Sequence, residues 1–274
     1  MRRRRGRMTG QGGTISWFAL GVSVVFLLPL LVVVGMSFNP GEFSVFPPRG
    51  FSLRWFEAAW SNPAFQSAFF LSIQVALFST AIGLLLSIPS ALAIVRSAPR
   101  IKRIVQSITF GPLIVPEILL GVGILIMINQ VFGFGSVNVW TIVAGHVLVG
   151  IPLSIQVLVA GMAGVNENLE KAAWTLGASK AKALIHVTLP LVAPAIASSA
   201  LFLFIFSFDN VSMSLFLSRP GATTLPIYMY QYLQYRADPT VAAMSTILIV
   251  FGVVAALLLG RLGGLTQIAG KTRR

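Results

Sequence analysis

The chain contains no cysteine, so it holds no disulfide framework, no thiolate-built zinc or iron–sulfur site and no dithiol redox motif. Charge is also scarce: only 10% of the 274 residues are charged, against roughly 25% in ordinary soluble domains. Together with a hydrophobic content of 56% and a mean hydropathy of +0.86, that excludes a soluble fold and points to a membrane protein. The two histidines, His146 and His186, stand alone, and a lone histidine is more often packed or hydrogen-bonded than a ligand. No metal site is expected. Low-complexity tracts and convincing internal repeats are absent from the sequence.

What the chain does have is long apolar runs. Six are long enough for the roughly 20 residues a bilayer crossing needs: 15–38, 65–95, 104–132, 139–163, 189–217 and 241–259. The second exceeds one crossing and is expected to tilt, bend at Pro89 or project from the bilayer. The expected class is an all-α polytopic helix bundle with a basic N-terminus over 1–14, one transmembrane domain over 15–263 and a basic tail over 264–274.

The formal net charge of +13 could suggest nucleic acid, but the placement of the charges says otherwise. Sixteen of the twenty Lys and Arg fall at the N-terminus, between runs two and three, between runs four and five, and after run six. The other four, Arg49, Arg54, Arg219 and Arg236, fall on the opposite side. By the positive-inside rule both termini are cytoplasmic. The basic excess anchors topology, with a secondary attraction to anionic head groups, and no nucleic-acid role is expected. The first run lacks a small-x-small cleavage pattern and is read as a retained span rather than a signal peptide.

The outer loops then cover 39–64, 133–138 and 218–240. Trp55, Phe56 and Trp60 in the first suit a short helix at the interface. The inner segment 164–188 carries the most information. Asn166 is a candidate N-cap, Glu167 and Glu170 fall where a helix N-terminus favours acids, and Leu169, Ala172, Ala173 and Leu176 share one face. Gly177-Ala178-Ser179 then interrupts the helix, and a second helical turn leads to Pro190. A helix–Gly–helix elbow with small residues admits close approach by another surface. Residue physics alone leaves two uses open: a knob that a motor protein pushes, or an amphipathic helix resting on the membrane.

A resemblance separates them. Permease subunits of ATP-driven, binding-protein-dependent importers carry Glu-Ala-Ala, three residues, Gly, nine residues, a branched aliphatic, one residue and Leu-Pro. Ala172, Ala173, Gly177, Val187, Leu189 and Pro190 fall at those positions. One residue departs: the Glu position is Lys171, with Glu170 just before it. Pro116-Glu117-Ile118, the segment from Ser207 through Leu217, Leu225-Pro226-Ile227-Tyr228 and Asp238-Pro239 resemble the second permease of spermidine/putrescine-type systems. The resemblance implies a type I importer permease fold. It also implies an ATPase-coupling loop comprising Glu170, Lys171, Ala172, Ala173, Leu176, Gly177, Ala178 and Ser179.

Glu117 and Asp209 are the only acids within the apolar runs. A charge at a helix centre costs about 2.5–3.5 kcal/mol on insertion scales, so such groups usually face a cavity or a partner. With Asn210 they are candidates for a pathway that attracts a cation. The alternative is structural, with Asp209 bonded to Asn210 or a neighbouring helix and Glu117 capping a helix broken at Pro116. The alternating Phe202, Phe204, Phe206 and Phe208 read as packing. Gly270-Lys271-Thr272 lacks the upstream Gly, strand and following helix of a phosphate-binding loop, so no nucleotide binding and no catalytic residue are expected.

The family therefore implies that ATP and Mg are bound by partner chains: two ATPase subunits, beside a second homologous permease chain and an extracytoplasmic substrate-binding protein. Polyamines are the expected substrate. Opines, amino-acid-like solutes, aminophosphonates, thiamine or iron are alternatives, and an ion-gradient-driven secondary transporter is the rival class.

Overall fold

A computed structural model describes residues 11–271 apart from Glu167, Pro220 and Ala237, with side chains described over 17–258. The regular elements among the described residues are all helices, with one isolated bridge between Arg219 and Ala222. They form two compact units, one within Met1–Asn62 and Tyr232–Ile249, the other within Pro63–Gln231 and Val250–Arg274.

The first unit begins with α1 (Gln11–Ser37), whose Trp17–Ser37 segment is apolar on every face and buries none of its most hydropathic window, as a lipid-facing span does. The outer segment that follows is organised around Asn39, which is 2% exposed. Its amide donates to the Phe43 carbonyl at 2.8 Å, and its Oδ1 accepts the Arg49 N–H at 3.3 Å. Its carbonyl accepts the Trp55 indole N–H at 2.9 Å. Phe38 stacks on Phe51 with centroids 4.9 Å apart. The interfacial helix expected around Trp55 forms as α2 (Arg54–Trp60).

The second unit is built on α3 (Pro63–Arg96), which runs through Pro89 as one helix of 34 residues. Its next elements are α4 (Pro99–Ile114), α5 (Glu117–Phe132) and α6 (Val139–Met162). Helix α6 starts on a capping box, in which Asn138 accepts from the Trp140 and Thr141 N–H groups and Thr141 accepts from Asn138 N–H. Then come α7 (Asn168–Thr175), α8 (Lys180–Ala183), a π-helical turn Leu184–Thr188, α9 (Leu189–Phe208) and α10 (Ser212–Leu217). Helix α11 (Leu225–Tyr235) and α12 (Thr240–Lys271) complete the order, each divided between the two units.

Helices α3, α6 and α9 pack on one another. Lipid tails give apolar side chains no reason to associate, so such bundles depend on close backbone approach. A Cβ at Gly150 would lie 2.8 Å from Leu203 Cδ2, and one at Gly161 would collide with Ala195 Cβ. Ser154 and Ser199 hydroxyls bond at 2.7 Å across the same seam. Val75, Ile142, Val147, Met213 and Leu217 form the core near its outer end, and Ala91, Leu158, Met162 and Val192 form a second core. The alternating phenylalanines of α9 pair at i,i+4: Phe202 with Phe206 at 6.2 Å and Phe204 with Phe208 at 5.9 Å. They pack, as expected.

Three features differ from the sequence expectation. The third run is not one straight span: α4 and α5 meet at 91° across Val115 and Pro116. Pro116 has no N–H to continue the helix and forces Val115 into extended geometry, φ −84 and ψ 130. Among the described residues, five helices are therefore long and apolar enough to cross a bilayer, or six when this bent pair is counted as one span. The fifth run stops at Phe208, and α10 starts anew at Ser212. Finally, the third outer loop contains α11.

Candidate functional site: the inner elbow and the meeting of two helix breaks

The inner elbow is shaped by local bonds. Asn166 Oδ1 accepts the Asn168 N–H at 2.9 Å, as an N-cap does; Glu167 lies outside the described residues. Helix α7 ends in a Schellman motif. Ala178 N–H donates to the Ala173 carbonyl at 3.0 Å, Gly177 N–H donates to the Trp174 carbonyl at 2.9 Å, and Gly177 sits at φ +89. An L side chain rarely adopts that conformation, so glycine sets the bend. Ser179 then caps α8, its hydroxyl accepting from Lys182 N–H at 3.3 Å.

The elbow has two faces. Lys171, Ala172 and Ser179 are exposed, Ala173 and Ala178 are half-buried, and Leu176 is 89% exposed. This leaves an uncovered apolar edge on the cytoplasmic side. Glu170 turns the other way, with its side chain 14% exposed. It pairs with Arg96 at the end of α3 and accepts the hydroxyl of Thr188, in the π turn before α9. One carboxylate thus links the elbow to both neighbouring helices, over a cavity of about 40 Å³ lined by Leu92, Val95 and Val192.

Arg96 is 47% exposed, so the pair adds little stability, about 0–1 kcal/mol for a surface ion pair. Its value is positional. Reversing Glu170 to Arg is expected to lower uptake, whereas the swap Arg96→Glu with Glu170→Arg restores it; transport by the double variant no better than by Glu170→Arg alone would remove the clasp from the mechanism.

Glu117 and Asn210 are brought together. Glu117 is the first residue of α5 after the bend, and its Oε2 accepts the Asn210 amide at 3.1 Å. Asn210, 6% exposed, also accepts the Met213 N–H at 2.9 Å and so caps α10. Asp209 ends α9 and is exposed, one residue from Asn210 but bonded to neither it nor Glu117 among the described residues. Glu117 therefore lies at a helix start rather than mid-helix, and two broken spans meet through it. Among the described residues neither acid has an ion-pair partner. A separate cavity of about 460 Å³ opens between α3 and α11, lined by Ser67, Phe70, Gln74, Thr223, Tyr228 and Gln231, with no charged residue.

Sequence reasoning missed the inward turn of Glu170 and the bridge that His146 makes between α9 and α10. The departure at Lys171 signalled the first, since it left Glu170 as the elbow's nearest acid.

Residues 83–264 match the family of binding-protein-dependent transport system inner membrane components. The chain belongs to this family. It is therefore a multi-pass inner-membrane permease component, and the ion-gradient rival is not favoured. Among named relatives it is 26% identical over 237 residues to the spermidine/putrescine transport system permease protein PotC of Escherichia coli (strain K12), covering 86% of this chain and 89% of that one. It is 32% identical over 231 residues to the molybdenum transport system permease protein ModB of Mycobacterium bovis, covering 80% and 86%. A solved bacterial alginate ABC transporter, in complex with an alginate pentasaccharide-bound periplasmic protein, has the same fold, with TM-score 0.67, 16% identity and coverage of 92% and 94%. The permease thus has the type I importer fold that the elbow motif implies.

Proposed function

We propose that this permease imports polyamines of the spermidine/putrescine kind, with Glu117, Asp209 and Asn210 on the route and the 164–188 elbow as the contact for an ATPase. The observation that carries the substrate class is the two acids beside a helix break that, among the described residues, have no cationic partner. The likeness to PotC supports the same class. In a low-dielectric pathway a cation compensates such carboxylates, whereas an anion meets repulsion. A neutral opine or amino-acid-like solute would leave both acids uncompensated.

The exposed Leu176 edge, Ala172 and the glycine-set bend form the surface a motor subunit grips. Two ATPase subunits bind ATP and Mg, a second homologous permease supplies the other half of the pathway, and an extracytoplasmic binding protein delivers substrate at the outer loops. ATP-driven closure of the ATPases moves the elbows, and Glu170 carries that movement to α3 and to the start of α9. This chain contributes no catalytic residue.

The test is purification of the tagged chain from gently solubilised membranes with whatever accompanies it, followed by reconstitution and uptake of labelled putrescine or spermidine. Expected are a co-purifying ATPase and second permease, and uptake that stops when ATP is depleted with the ion gradient held. Uptake that persists without ATP, or a complex that moves an anionic or neutral solute but no polyamine, would overturn this assignment.

A further inference from the structure

His146 belongs to no part of the pathway described so far, yet it is 2% exposed and uses both ring nitrogens. Nδ1 lies 2.8 Å from Ser207 Oγ and Nε2 lies 3.0 Å from Ser214 Oγ. Ser207 is in the last turn of α9 and Ser214 in the first turn of α10, so one imidazole on α6 spans the break at 209–211. A hydroxyl both donates and accepts, so a neutral ring with a single N–H satisfies both bonds in either tautomer. A histidine held merely by packing needs partners anywhere; these two flank one interruption.

The surrounding geometry leaves the clamp little slack. A Cβ at Gly145 would stand 2.8 Å from both Met213 Cγ and Leu217 Cδ1, so α10 rests directly on the α6 backbone next to His146. Asn210, between the two serines in sequence, uses its side chain to cap α10 and to reach Glu117. Any change in the separation of Ser207 and Ser214 therefore moves Asn210 relative to Glu117.

We infer that His146 is the positioning residue of the 209–211 turn. By tying Ser207 to Ser214 it fixes where Asp209 and Asn210 stand relative to Glu117. The effect on transport rests on the pathway reading above; the clamp itself rests on geometry alone.

The lack of native cysteine permits a direct test in the assembled transporter. Phe202→Cys and Leu215→Cys, at positions 40% and 43% exposed on either side of the break, give the one spin-label pair in this chain once any cysteines of the partner chains are replaced. His146→Leu is expected to broaden or shift the label distance and to cut ATP-driven uptake about fivefold or more at equal complex recovery, without multiplying the loss caused by Asn210→Ala, as expected for coupled residues. His146→Gln, which keeps an amide to bond one serine, restores part of both signals. If His146→Leu fails to assemble, Ser207→Ala and Ser214→Ala, each removing one bond, carry the same comparison. An unchanged distance distribution, or losses that multiply with Asn210→Ala, would overturn the inference. Should Asn210→Ala transport normally, the pathway reading fails, and the label distance still decides the clamp.

Discussion

Replacing Gly177 with valine is expected to cut ATP-driven uptake about tenfold or more, because a left-handed backbone costs an L residue roughly 1–2 kcal/mol and β-branching adds to it. At φ +89 the substitution either forfeits the bonds from Gly177 and Ala178 to the end of α7 or redirects the chain into α8. Either outcome turns the Leu176 edge away from its partner. Asparagine, which tolerates this conformation, should retain most activity. The measurement is uptake in reconstituted vesicles beside the amount of ATPase that co-purifies. Equal transport by the valine and asparagine variants would show that the bend has no part in coupling.

Changing Glu117 to leucine and, separately, to glutamine divides charge from hydrogen bonding. Leucine leaves the Asn210 amide without its acceptor, and a hydrogen bond to a charged group contributes about 1.5–3 kcal/mol. Glutamine keeps an acceptor at the same place and removes only the charge. A cation about 4 Å from a carboxylate gains up to about 4 kcal/mol at an effective dielectric of 20, so both variants should lose polyamine uptake about tenfold or more. Normal uptake by the glutamine variant beside a defective leucine variant would make Glu117 a structural cap and leave Asp209 alone to attract the substrate. Melting temperatures of the purified complexes separate the two effects, since glutamine, which keeps a neutral hydrogen bond, should lower them less than leucine.

The spans were legible because lipid imposes one rule, about 20 apolar residues, on every crossing. The helix–Gly–helix shape of the elbow was legible from Asn166, Gly177 and Ser179, whereas its use for coupling was implied only by the family resemblance. The breaks were only half visible. Pro116 marked a kink but not a turn of 91°, since the angle depends on what α5 packs against. The stop at Phe208 went unread although Asp209-Asn210 is a polar pair within an otherwise apolar run, because a polar pair in a span serves a pathway as readily as a helix end. There Asn210 finds its role by capping α10 and reaching Glu117, 93 positions away. His146 was legible only as packed or hydrogen-bonded, because its two partners lie 61 and 68 positions away in the chain. The same holds for Glu170, whose partners Arg96 and Thr188 are far off in sequence.

The bare surface of α1 bears on biogenesis. The most hydropathic 18 residues of its segment Trp17–Ser37 have a mean hydropathy of 2.7, and none of them is buried. Leu, Phe and Val each favour insertion by about 0.3–0.6 kcal/mol at a helix centre, so this segment can partition into lipid as soon as it emerges from the ribosome. Five arginines ahead of it hold the N-terminus on the side of synthesis. Insertion of the first span is thereby independent of the folding of the rest, and a nascent chain would be anchored and oriented before α3 exists to pack against anything.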